Sequence, residues 1–91
     1  MKQYESGRIY KIYDVDDVNM FYIGSTAQPL SKRMAQHRKD AKKHPDRYFY
    51  KYFLSHNMKI ELIEYINKPI TKEELHVIEG KYQIEMKPPL N

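Results

Sequence analysis

The sequence predicts an α+β fold: a three-stranded antiparallel sheet flanked by helices, in the order ββααβα. Three observations predict it. Residues 7–14 alternate from side to side and are followed, after an acidic turn, by a short apolar run. Two stretches, about 30–43 and 46–55, place apolar residues at helical spacing. A helix-start signature, Thr71-Lys72-Glu73-Glu74, follows a third strand-like segment.

In residues 7–14, Ile9, Lys11 and Tyr13 fall on one side and Arg8, Tyr10 and Ile12 on the other, a period of two with β-branched and aromatic content. Asp14-Val15-Asp16-Asp17-Val18-Asn19 reads as a turn, because acids and asparagine bond their own backbone. Met20-Phe21-Tyr22-Ile23-Gly24 is the second strand of a hairpin, and Gly24 permits close approach of backbone or ligand. Residues 25–29 read as a loop. Leu30, Met34 and Ala41 make the apolar stripe of the first helix. Tyr48, Phe49, Tyr52 and Phe53 lie on the second. Residues 59–66 carry apolar side chains on both faces and form the third strand. Thr71 and Glu74 make a capping box, each satisfying a free N–H at the helix start. The last helix then runs to about Met86, where Pro88-Pro89 forbids continuation.

Ninety-one residues form one domain, 1–91, with a single thin core. The chain has no cysteine, which removes disulfides, cysteine nucleophiles and cysteine-ligated zinc. No apolar run is long enough for a membrane span, and Met1-Lys2-Gln3-Tyr4-Glu5 lacks the apolar segment of a secretory signal. The expectation is a soluble intracellular protein, cytoplasmic or nucleoid-associated. Net charge is +4, and eight of the Lys and Arg residues fall in residues 32–51 against Asp40 and Asp46. Such a face either suits a polyanion or is simply a solvated helix surface. There is no P-loop, no Gly-x-Gly-x-x-Gly and no metalloprotease spacing among the four histidines.

Five side chains invite chemistry. Glu79 falls inside the inward stripe of Leu75, Ile78, Tyr82 and Met86 on the last helix. A carboxylate there must either pair with a cation at the rim or hold a metal. Gly80 beside it is unfavourable in a helix interior and suggests close packing. Arg33 and His37, four apart, share a helix face and flank the stripe toward the sheet edge. They are either ordinary members of a basic helix or groups that stabilise phosphate charge and move a proton. Of the nine tyrosines, Tyr10 and Tyr22 stand out because the hairpin brings them side by side. A free tyrosine, with a pKa of about 10, is a poor base at neutral pH.

Arg8-Ile9-Tyr10 and Tyr22-Ile23-Gly24, followed by Ser25-Thr26, Leu30, Arg33, His37, Glu79 and Leu90-Asn91, resemble the GIY-YIG nuclease family over essentially the whole chain. The resemblance implies a minimal stand-alone catalytic domain, an endonuclease that hydrolyses DNA phosphodiesters with one divalent metal, Mg²⁺ or Mn²⁺. Tyr10 would act as general base or orient the attacking water. Tyr22 would support it and touch the scissile phosphate. Arg33 would stabilise the pentacovalent phosphate, with His37 as a second polar group. Glu79 would hold the metal. Gly24, Ser25, Lys32, Arg38, Lys39, Lys42, Lys43 and Asn91 are the expected DNA contacts, with low intrinsic sequence specificity. Two departures stand out. Arg8 occupies the place of the family's first glycine, and Ser25 sits where some members carry a lysine proposed to deprotonate the tyrosine. The rivals are a DNA- or protein-binding module that kept the fold without catalysis, and an RNA-directed nuclease. A partner protein or self-association is a further possible source of specificity.

Overall fold

The computed structural model describes residues 3–91; Met1 and Lys2 of the opening segment lie outside the described residues. The elements are β1 (Gln3–Tyr4), β2 (Gly7–Asp14), β3 (Asp17–Thr26), α1 (Leu30–Lys43), α2 (Tyr48–Ser55), β4 (Met58–Ile66), β5 (Ile70–Thr71) and α3 (Lys72–Met86). The main sheet is antiparallel in the order β3-β2-β4, so β2 is central and β3 is an edge. The ββααβα order of the sequence reading is therefore the observed order of the main elements. A second, two-residue pair, β1 with β5, was not foreseen, because two residues carry no periodicity.

The central strand explains the layering. Its alternation sends Ile9 to one face and Tyr10 and Ile12 to the other, and all three are fully buried. On the Tyr10 face the core is Met34 and Ala41 of α1, Phe49 and Phe53 of α2, Met58 and Leu90. On the Ile9 face it is Ile23, Ile66, Ile70 and Leu75 of α3. Helices thus cover both faces, α1 and α2 on one side and α3 on the other.

Several boundaries differ from expectation. The hairpin turn is tighter, since Asp14 pairs directly with Asp17, and β3 runs on through Ser25 and Thr26, which the sequence reads as loop. Their pairing with Ile9 and Arg8 supplies ladder hydrogen bonds that a propensity reading does not see. The second helix begins at Tyr48 rather than Asp46. A bulge in the β2–β4 ladder falls between Ile9 and Tyr10, opposite Ile63. Met86 is exposed rather than part of the inward stripe, because the last turn of α3 has passed the core. The capping box is present: Glu74 N–H donates to Thr71 Oγ1 at 3.1 Å and Thr71 N–H to Glu74 Oε1 at 3.0 Å. Gly80 meets no atom within 4 Å of a built Cβ, so the expected close packing there is absent. Among the described residues no helix is long and apolar enough to cross a membrane.

Candidate active site at the edge of the sheet

Strand register builds the first half of the site. Tyr10 pairs with Gly24, and Ile12 with Tyr22, so Tyr10 and Tyr22 are diagonal neighbours on one face. Their ring centroids lie 6.5 Å apart. α1 covers this face and delivers Arg33 and His37. Arg33 Nε–H donates to Tyr10 Oη at 3.2 Å. Tyr10 Oη and His37 Nε2 are 2.7 Å apart. The tyrosine oxygen accepts from an obligate donor, so its own hydrogen is free for His37, which places the histidine proton on Nδ1. His37 Nδ1 is buried without a hydrogen-bond partner among the described residues.

His37 does not flank the stripe as its sequence position suggests. It is 1% exposed and sits within the stripe, between Met34 and Ala41. Burial, together with the charge of Arg33, lowers its pKa to about 4, so the ring is neutral at pH 7. Tyr10 is held well above its usual pKa, first by burial and then by Tyr22; Arg33 acts in the opposite direction. Burial and Glu79 likewise raise Tyr22. In the free protein Tyr10 is a phenol.

The second half arrives from the opposite face. Ser25 pairs with Ile9 and shares its side of the sheet. Ser25 Oγ–H donates to Glu79 Oε1, and Gln83 Nε2–H donates to Glu79 Oε2 at 2.8 Å. The Glu79 charge nevertheless acts on both tyrosines, so the carboxylate reaches them electrostatically across the β3 edge. Gly24 is the residue between. A Cβ there would lie 2.5 Å from Tyr10 Oη, 2.7 Å from Tyr10 Cζ and 3.0 Å from Tyr22 Cε1. Only a residue without a side chain fits, which supplies a packing reason for a glycine expected to contact ligand.

Asn91 is exposed, but its side-chain amide clamps the β3 backbone: Oδ1 accepts from Ile23 N–H at 2.7 Å and Nδ2–H donates to Ile23 O at 2.8 Å. Lys32, Arg38, Lys39, Lys42 and Lys43 are exposed. The helical period sets Lys32, Lys39 and Lys43 opposite Met34 and Ala41, facing outward from the tyrosines. Arg8 donates to Gln28 O at 3.4 Å and lies 5.1 Å over the Tyr65 ring. The close approach falls instead at Gly7, where a Cβ would meet Leu75 Cδ1 at 2.8 Å. Two residues near the site were missed. Gln83 is four after Glu79 on one helix face, a spacing the sequence offered. Tyr50, next to Phe49 on α2, lies 6.1 Å from the His37 ring and feels the Arg33 charge. Two cavities flank the site. One of about 510 Å³ is bounded by Ser25, Gln28, Arg33, Lys72 and His76. The other, of about 300 Å³, shares Tyr22.

A family model described as the GIY-YIG catalytic domain matches residues 6–91. The chain belongs to the GIY-YIG family. This is a family of nucleases, whose chemistry is phosphodiester hydrolysis. Comparison with curated proteins and with solved structures gives no match.

The donor set bears on the divalent metal that GIY-YIG nucleases generally use. Among the described residues no group of three or more His, Cys, Asp or Glu could encircle an ion. Glu79 with the Ser25 hydroxyl is instead a hard, oxygen-only pair. Each carboxylate oxygen has accepted one hydrogen bond and keeps further lone pairs. That fits a cation such as Mg²⁺, which retains several waters and takes one or two protein carboxylates plus substrate phosphate.

Proposed function

We propose that this chain is a metal-dependent endonuclease that hydrolyses DNA phosphodiester bonds, with one divalent ion, Mg²⁺ or Mn²⁺, at Glu79 and low intrinsic sequence specificity. The observation that carries the reading is the Arg33–Tyr10–His37 hydrogen-bond chain set against a carboxylate on the other side of Gly24. A buried binding surface has no need to aim a guanidinium and an imidazole at one phenol oxygen.

In this reading Tyr10 works as a relay rather than as a resident phenolate. Water attacks phosphorus, its proton passes to Tyr10 Oη, and the Tyr10 proton passes to His37 Nε2. The P–O bond to the leaving oxygen breaks, and that oxygen takes a proton from solvent. Neutral His37 supplies the acceptor that Ser25, standing where some relatives carry lysine, does not. Burial disfavours its imidazolium, so the proton returns through Tyr10 Oη to solvent once the leaving group has departed, which restores both groups. Arg33 keeps its remaining N–H donors for phosphate oxygens. Tyr22 borders the same space. When bound, the ion at Glu79 supplies Lewis-acid neutralisation of charge building on the phosphate and leaving oxygen. The outward cations of α1 supply sequence-independent attraction to the DNA backbone.

The test is supercoiled plasmid incubated with wild type and with Glu79→Ala, with Mg²⁺ or Mn²⁺ and with chelator. Metal-dependent nicking by wild type alone is the expected result. Equal nicking by both proteins overturns the assignment of Glu79. No cleavage by wild type with DNA binding intact overturns the nuclease reading for duplex DNA.

A further inference from the structure

The cavity of about 300 Å³ beside Tyr22 has the character of a stacking pocket, and we infer that it receives one unpaired nucleobase next to the phosphate to be cut. Preferred substrates are then DNAs with an unpaired nucleotide at the scissile position, such as a bulge or flap junction, rather than uniform duplex. The inference rests on the nuclease reading above for where the phosphate lies.

Four observations lead to it. The volume is at the small end of ligand sites, roughly 300–1,000 Å³, the scale of one heterocyclic ring. The wall is aromatic: Tyr22 is stacked on Phe49 with centroids 4.1 Å apart and planes at 8°, and Tyr48 stands over the opening at 62% exposure. Arg47, the exposed residue before α2, borders the same opening and brings a cation that stacks on bases or pairs with phosphate. Tyr22 belongs to both the pocket and the catalytic face, so a base in the pocket lies beside a phosphate at Tyr10 and Arg33.

The chemistry of the lining favours stacking over reading. The Asn91 amide, the one side-chain amide of the lining, is already engaged by Ile23. Aromatic faces accept any base, which agrees with low sequence specificity. A paired, stacked base inside a duplex cannot present its face to Tyr48, so occupancy requires an unpaired nucleotide.

Binding in chelator tests this without turnover. The probes are a matched duplex and the same duplex carrying a one-nucleotide bulge of 2-aminopurine. Wild type is expected to bind the bulged duplex about tenfold or more tighter and to change the 2-aminopurine fluorescence as the base stacks. Tyr48→Ala, at an exposed position, is expected to weaken bulge binding roughly 5- to 150-fold, the range for base–aromatic stacking, and to leave matched-duplex binding within about twofold. Tyr48→Phe keeps the ring face and is expected to restore the preference. Equal affinity for the two duplexes, or equal losses on both with Tyr48→Ala, overturns the inference and leaves plasmid nicking untouched. Base capture without metal-dependent cleavage overturns the nuclease reading alone.

Discussion

Replacing Gly24 with alanine adds one methyl group at the point where the two halves of the site meet. The built Cβ lies 2.5 Å from Tyr10 Oη and 2.7 Å from Tyr10 Cζ. An ordinary contact begins near 3.4 Å, so the ring tip must retreat by roughly 0.9 Å. It has no slack for that. Tyr10 is fully buried, its hydroxyl is tied to His37 at 2.7 Å and to Arg33 at 3.2 Å, and a ring cannot bend away as a flexible chain would. No glycine in the chain has positive φ, so backbone strain adds nothing and the cost is steric alone. Overpacking of this kind costs about 1–3 kcal/mol. A misplacement near 1 Å at a catalytic group costs about 100-fold in rate. Urea unfolding reads the first and initial rates of plasmid nicking read the second. In a Tyr10→Phe background the nearest clash and the tethers are gone, so the stability cost of Gly24→Ala is expected to shrink, giving a coupling of about 0.5–3 kcal/mol. Wild-type stability and rate in Gly24→Ala would refute the steric argument and with it the shared edge.

Four further outcomes are expected. His37, buried neutral with a pKa lowered to about 4 against 6.5 unfolded, makes the unfolded chain bind the extra proton between those values. Stability therefore rises with pH from about 4 to 6.5, by on the order of 3 kcal/mol at most, and His37→Gln should flatten that slope in urea titrations across the range. Asn91→Ala removes both bonds to Ile23 and is expected to cost about 1–2 kcal/mol, read by the urea midpoint. Gly80→Ala, in open space within α3, is expected to stabilise by about 1 kcal/mol with cleavage unchanged, measured by thermal and urea unfolding. Charge neutralisation of Lys39, Lys42 and Lys43 together should lower the slope of log K against log salt by about 0.9 for each phosphate these lysines neutralise in wild type, seen in DNA-binding titrations; an unchanged slope removes α1 from the binding surface.

The pairs that local periodicity governs were legible in the sequence. Tyr10 and Tyr22 could be placed together because strands alternate and hairpins pair neighbours, and Arg33 with His37 because helices repeat near four. What stayed hidden depended on packing. Histidine counts as polar, so its seat between Met34 and Ala41, and the neutral state that follows, were not visible. Gly80 looked like a packing glycine because its cost in a helix is local, whereas its surroundings are not. The Ser25–Glu79 bond joins residues 54 apart, and no pattern in either element says that α3 covers the face opposite α1.

That opposition has a chemical consequence. Groups on the two faces of a sheet are normally kept apart by the sheet itself, and only an edge strand lets one ligand touch both. Open edges invite pairing with other chains, so they are commonly covered. Here Leu90 N–H donates to Phe21 O, and the Asn91 amide completes the cover at Ile23. The cover thus engages Phe21 and Ile23, just short of Gly24 and Ser25, where the hydrogen-bond chain on Tyr10 meets the carboxylate of Glu79. In the proposed reaction a phosphate, small and multiply charged, would take its guanidinium and proton relay from one side of this strand and its hard oxygen donor from the other. Asn91 and Gly24 then act together, one closing the edge up to Ile23 and the other, buried and without a side chain, keeping nothing between Tyr10 and the strand that carries Ser25.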